Sequence, residues 1–232
     1  MSESISKIKQ AAAYYDDMFT AGGDGGVYDL PYRYSSYYPL FRAVLRQVRR
    51  AETRSVLEVG CGTGGFAHLL SDETDIAYAG FDFSAVAVTK ARSRTGRDDW
   101  FFLGDALSPR SYTHPYDTIV CTEVLEHISD DLGVIEQWRR GAICVCSVPN
   151  FDAESHERFF KDEEQVRKRY GRHIEITRVA RIKKPILPDI SWMNYVRAIR
   201  WYRYRPKMLL AALGIGSFTA LGGWFLFTGR RR

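Results

Sequence analysis

The chain has 232 residues, 45% of them hydrophobic and 26% charged, with a net charge of +5. That length holds one α/β domain with a helical extension and excludes two large domains, and the composition is that of an ordinary soluble globular protein. Four cysteines (Cys61, Cys121, Cys144, Cys146) lack zinc-ligand spacing and Met1–Gln10 is polar without an apolar signal core, so reduced, mostly buried thiols in a cytoplasmic protein are expected.

In chain order, Ile5 to Thr20 reads as a helix and Ala21 to Gly26 as a flexible break. Tyr28 to Tyr38, crowded with tyrosine, reads as a loop. Apolar residues at Leu40, Phe41, Val44, Leu45 and Val48 predict a helix with one buried face. From Arg54 strands and helices alternate. Strands are expected at Ser55–Val59, Ile76–Phe81, Trp100–Leu103, Tyr116–Cys121 and Ala142–Val148. Helices are expected at Gly65–Leu70, after the N-cap Ser84, and at Asp130–Arg139. Continuous apolar strands joined by helices predict a parallel sheet covered on both faces. A charged helix (Glu154–Tyr170), a strand (Ile174–Ile182) and a last segment ending in Trp224-Phe225-Leu226-Phe227 follow.

The most informative stretch runs from Val56 to Phe66. A β-branched apolar run ends in Glu58, and a glycine-dense turn then opens into a helix. Such a turn lets the backbone approach a ligand and points free N–H groups at it. The order Glu-x-Gly-x-Gly-x-Gly over Glu58–Gly64 differs from the dinucleotide fingerprint. It resembles the first motif of class I S-adenosylmethionine (SAM) methyltransferases. Asp82, about twenty residues on, is placed for the two ribose hydroxyls of an adenosine cofactor, unless it is a surface loop carboxylate. Asp105 after the third strand reads either as a turn residue or, by the resemblance, as the partner of the adenine amino group, with Ala106 beside the ring. The run Tyr116-Asp117 through Glu123-Val124-Leu125-Glu126-His127 is similar to that of ubiquinone-biosynthesis O-methyltransferases. The resemblance implies a Rossmann-like α/β fold, with a mixed seven-stranded sheet, helices on both faces and an N-terminal helical lid. It divides the chain into an extension (1–50) and a core (51–232) with a recognition insert around 184–217. The implied cofactor residues are Glu58, Gly60, Cys61, Gly62, Gly64, Asp82, Phe83, Asp105, Ala106, Thr122 and Glu123.

Glu123, Glu126 and His127 have the spacing that converges on one side of a helical turn. Two carboxylates and an imidazole suit a divalent ion. His156, in His156-Glu157-Arg158-Phe159-Phe160, looks like the second histidine ligand of small-RNA 3′-terminal 2′-O-methyltransferases. That likeness implies Mg2+ or Mn2+ held by Glu123, Glu126, His127 and His156. The alternative is that Glu126 and His127 orient the turn and line the acceptor pocket, with His127 as general base. Tyr15, Tyr28, Tyr32, His156 and Trp192 are the candidate acceptor contacts. The N-terminal tyrosines either form the lid or simply pack the extension onto the sheet.

Met208 to Thr228 is uncharged and long enough to span a bilayer. The competing reading, a buried last strand through Trp224–Arg230, fits the family better. The insert before it interleaves aromatic and basic residues, which suits an acidic acceptor, RNA or a membrane surface. The expected function is methyl transfer from SAM to an oxygen of a small molecule. The alternatives are metal-dependent RNA 2′-O-methylation and non-catalytic SAM binding.

Overall fold

The computed structural model describes residues 13–23, 26, 28–183 and 222–232. Seven strands lie in the order β3-β2-β1-β4-β5-β7-β6. They are β1 (Ser55–Val59), β2 (Ala77–Asp82), β3 (Phe101–Leu103), β4 (Thr118–Thr122), β5 (Ile143–Pro149), β6 (Ile174–Lys183) and β7 (Gly223–Arg231). The first five are parallel, and β7 enters antiparallel between β5 and β6. The helices are α1 (described residues 13–20), α2 (Tyr38–Arg50), α3 (Gly65–Glu73), α4 (Ala85–Thr95), α5 (Asp131–Glu136) and α6 (Glu163–Tyr170).

The central strands are apolar throughout because both faces are covered. One face packs Leu40, Val44, Phe66, Leu69 and Ala91 from α2, α3 and α4. The other packs Val134, Ile135, Val166 and Tyr170 from α5 and α6. α2 therefore belongs to the core although it precedes the first strand. α4 starts where Ser84 Oγ accepts the Ala87 N–H at 3.1 Å, as expected of its N-cap. β1 has β2 on one side and β4 on the other, so the connections leave it in opposite directions. The crevice at the carboxyl ends of β1 and β4 is the switch point at which such sheets bind ligands.

Two predicted helices are shorter than expected. The segment read as Asp130–Arg139 is helical only over Asp131–Glu136. Trp138 is buried and the Arg139 N–H donates to the Tyr116 hydroxyl at 2.7 Å, which turns the chain toward β5. In the segment read as Glu154–Tyr170, only Glu163–Tyr170 is helical, starting from the Asp162 cap. Residues before it are drawn out by bonds to the sheet end, including Glu157 N–H to Glu126 O at 2.8 Å and Phe160 N–H to Pro149 O at 3.0 Å.

The last strand is correct as read. Trp224, Phe225 and Phe227 have no exposed surface in β7, so a bilayer span over 208–228 is overturned: its end is a middle strand of the sheet. Among the described residues no helix is long and apolar enough to cross a membrane. The insert 184–217, with Trp192, lies outside the described residues.

Candidate functional site

The glycine turn, the end of β2 and the turn after β4 meet around the crevice. Gly60 and Gly64 have φ of +67° and +75°, a region that costs other residues about 1–2 kcal/mol. A Cβ on Gly60 would also lie 2.3 Å from Val124 Cγ2, and one on Gly64 3.0 Å from Ala91 Cβ. The Cys61 N–H donates to Phe81 O at 2.9 Å, which fastens the turn to β2, and burial pushes the Cys61 thiol well up.

Asp82 is 5% exposed. Its Oδ2 accepts the Gly62 N–H at 2.9 Å and its Oδ1 the Ser84 N–H at 3.0 Å. Burial raises its pKa above the ordinary value, and these backbone donors oppose that rise. Asp82 is thus no surface carboxylate. Beneath the turn, Glu58 is buried against the Tyr78 hydroxyl, which donates to it. Burial pushes Glu58 up to about 8, and the Tyr78 hydrogen bond pulls the other way. Beyond β3, Asp105 Oδ1 accepts the Leu107 N–H at 2.9 Å, so Asp105 does shape a turn. The Ala106 carbonyl accepts from the Tyr112 hydroxyl at 2.7 Å.

After Thr122, the last residue of β4, Glu123 has φ of +58°, and a 3-10 turn over Leu125–His127 follows. The helical spacing assumed for Glu123, Glu126 and His127 therefore does not operate. Glu123 accepts from the Trp224 indole and from Ser147 Oγ at 3.1 Å. The remaining three predicted ligands do meet: one ligand atom each of Glu126, His127 and His156 lie within 4.8 Å of one another. This corrects the four-residue metal set to three.

Glu126 has no exposed surface, and neither carboxylate oxygen has a hydrogen-bond partner of ordinary geometry among the described residues, although its own N–H and the Glu123 carboxyl lie close. Burial first, and then the neighbouring Glu123 carboxyl, drive its pKa well above the usual range. His127 Nδ1 lies 2.8 Å from Ser155 O and His156 Nδ1 3.2 Å from Phe151 O. A carbonyl only accepts, so Nδ1 of each ring carries the proton and Nε2 keeps a lone pair. His127 Nε2 is 4.0 Å from Glu126 Oε1. Burial lowers the His127 pKa, and the Ser155 carbonyl opposes that effect.

Tyr15 reaches across the crevice from α1. Its ring meets Phe83 edge-on at 5.2 Å and His127 at 6.0 Å. Asp16 accepts from Ser84 Oγ and from the Val86 N–H at 3.4 Å, and Lys90 donates to Phe19 O at 2.6 Å. Tyr28 packs between Phe19 and Tyr37, and its carbonyl accepts from Thr63 Oγ1 at 2.9 Å. Tyr32 is elsewhere: it is buried on α3, its ring against His68 and its hydroxyl on Asp72 at 2.7 Å, so it fastens the loop rather than lining the crevice. Sequence reasoning missed Trp224, Ser147, Asp16 and Arg158 as parts of this region. No local pattern marks them, because each acts on a residue at least 24 positions away.

None of the curated proteins matches the sequence. The fold is similar to that of the methyltransferase in complex with the Haloferax volcanii Trm112 methyltransferase activator, at 18% identity and a TM-score of 0.63 over 94% of this chain and 97% of that one. It is similar to the N-methyltransferase NodS of Bradyrhizobium japonicum, solved with S-adenosyl-L-homocysteine, at 16% identity and a TM-score of 0.56 over 85% and 88%. The [4+2]-cyclase SpnF also shares it, at 17% identity and a TM-score of 0.55 over 82% and 81%. The profile of the methyltransferase domain family matches residues 32–184. The chain belongs to that family, and its sheet is that of the class I SAM-dependent methyltransferases.

Proposed function

We propose that the protein methylates an oxygen of a small-molecule acceptor, with the segment before α2 acting as a lid on the core. When bound, SAM supplies an electrophilic methyl group. The residues that would hold it are the glycine turn with Glu58 and Cys61, then Asp82, Phe83, Asp105 and Ala106, with Thr122 and Glu123 at the β4 end. The fit rests on Asp82. Each Asp82 oxygen takes one N–H and keeps acceptor capacity for a ribose hydroxyl. Four free, buried thiols support a reducing, cytoplasmic setting.

The oxygen reading is carried by the state of His127. A hydroxyl acceptor must lose a proton, whereas a neutral amine already offers a lone pair. His127 keeps its lone pair on Nε2, and its depressed pKa leaves the ring neutral near pH 7. An imidazolium formed there favours ionisation of Glu126, 4.0 Å away, which stabilises it in return. The neighbouring folds include an N-methyltransferase and a cyclase, so fold alone does not choose the acceptor. Tyr15, whose ring touches both Phe83 and His127, supports an acceptor site covered by α1.

The same pocket supports a second means of activation. Mg2+ or Mn2+ held by Glu126, His127 and His156 would lower the pKa of the acceptor hydroxyl itself. The orphaned oxygens of Glu126 and the two Nδ1–carbonyl bonds favour it.

The deciding experiment incubates the protein with methyl-labelled SAM and an extract split into small-molecule, RNA and protein pools, with and without chelator. Label in the small-molecule pool with release of S-adenosylhomocysteine is expected. Label confined to RNA, or SAM binding without turnover, overturns the proposal. Loss of transfer in chelator, reversed by Mg2+ or Mn2+, assigns activation to the ion instead of to His127 as base.

A further inference from the structure

We infer that Arg158 is a positioning residue, a clamp that sets the turn carrying Glu126 and His127 without touching the acceptor. The turn needs one. It is a three-residue 3-10 turn following a left-handed residue, too short for cooperative helical support.

One carbonyl of the turn and those of the two residues after it find donors on one guanidinium. Arg158 Nη1 donates to Leu125 O and to Ile128 O, the latter at 2.7 Å, and Nη2 donates to Ser129 O at 2.9 Å. The clamp is itself seated on a fixed anion. Asp131, with no exposed side chain, lies 3.3 Å from Arg158 Nη1. Arg169 holds Asp131 through two bonds of 2.8 and 2.6 Å, and the Tyr170 hydroxyl adds a third at 2.9 Å. The position of the turn is thereby referred to α6.

The backbone beside Arg158 makes the same connection. The Glu157 N–H donates to Glu126 O at 2.8 Å, and Ser155 O takes the His127 Nδ1 proton at 2.8 Å. That second bond selects the His127 tautomer, so a shift of the strap relative to the turn alters which nitrogen bears the lone pair. A planar fork serving three carbonyls and a carboxylate is a task for arginine; a lysine ammonium is a single point charge. Both terminal nitrogens face the turn and Asp131, so Arg158 acts through His127 and Glu126.

The activity readout rests on the proposed methyl transfer; the spectroscopic one rests on the turn alone. The test uses full-length Arg158→Met, which keeps much of the stem, and Arg158→Lys, which keeps the charge should the first not fold. Misplacing a reacting group by about 1 Å costs up to ~100-fold, so kcat should fall roughly ten- to a hundred-fold in Arg158→Met. The Kd for SAM should change less than kcat, because Arg158 makes no bond to the glycine turn or to Asp82. Arg158→Lys should be intermediate, and millimolar guanidinium ion should restore part of the kcat of Arg158→Met.

Imidazole 15N spectra, with the His127 signal assigned through His127→Gln, should show the single Nδ1-protonated form giving way to a mixture. A merely structural arginine would lower Tm and leave kcat and the His127 tautomer as in the parent; that result overturns the inference. If no acceptor is turned over, methyl transfer fails by itself and the spectra still decide. An unchanged tautomer in the folded variant sinks the clamp, and a mixed one sustains it.

Discussion

Asp82 offers the sharpest separation of cofactor binding from fold maintenance. Its two oxygens each accept one backbone N–H, from Gly62 at 2.9 Å and Ser84 at 3.0 Å, and the side chain is buried. Asp82→Ala removes both bonds and any bond to the ribose hydroxyls. A hydrogen bond to a charged group contributes about 1.5–3 kcal/mol, so loss of the equivalent of one such bond corresponds to a roughly ten- to hundred-fold weaker Kd for SAM. Asp82→Asn is nearly isosteric, but its amide nitrogen donates and cannot accept. Whichever way the amide lies, either Gly62 or Ser84 loses its acceptor and faces a donor, whereas a ribose hydroxyl accepts from the same NH2. The asparagine variant should therefore lie between the parent and alanine in affinity. Calorimetric titration with SAM and with S-adenosylhomocysteine measures the affinity, and a thermal melt measures the fold. A folded Asp82→Ala variant that binds both with unchanged Kd would falsify the assignment and leave Asp82 as a brace for the glycine turn.

Two further outcomes follow from buried contacts. Glu58 is held protonated to about 8, whereas an unfolded glutamate ionises near 4.5. The folded state thus binds more protons across that window and stability falls as pH rises through it, by up to about 5 kcal/mol if the whole rise is expressed. Glu58→Gln should flatten this slope in denaturant titrations; a slope that persists locates it in another group. Gly60→Ala should cost about 1–2 kcal/mol for its left-handed backbone and about 1–3 kcal/mol for overlap with Val124. Adding Val124→Ala should recover only the overlap, and a double-mutant cycle showing no coupling would disprove the contact.

The parallel strands were legible to within about two residues because burial on both faces leaves an uninterrupted apolar run, a signal that is local and period-independent. Trp224–Phe227 differs: the apolar-aromatic run also reads as part of a bilayer span, and the resemblance to the family rather than the pattern favoured a strand inserted in the sheet. The failures occur where tertiary bonds override local pattern. Glu154–Tyr170 has helical composition, yet Arg158 and Glu157 are spent on the turn after β4, so half of it is drawn out. Glu123 carries no mark of a positive φ. Nothing near it in sequence signals that its carboxylate is met by an indole from a strand 101 residues later. The residues around the crevice could be named from the sequence while their geometry could not, because i to i+4 spacing places groups together only if a helix is present.

The cofactor and acceptor halves of the crevice are not independent attachments to a common sheet. Gly60, in the cofactor turn, abuts Val124, the residue immediately before the turn that carries Glu126 and His127. Tyr15 closes the opposite side by touching Phe83 of the cofactor half and His127 of the acceptor half. Asp16, one residue on, ties the same helix to the Ser84 cap that follows Asp82. A displacement of the glycine turn is therefore transmitted to His127 through Val124 beneath and through Tyr15 above. Methyl transfer needs the methyl group and the attacking oxygen aligned within a fraction of an ångström. A floor contact and a roof contact spanning both halves supply that alignment without any group having to bind SAM and acceptor at once. Under the proposed methyl transfer, α1 and the glycine at position 60 act on the same turn, α1 through Tyr15 and Gly60 through the space it leaves for Val124.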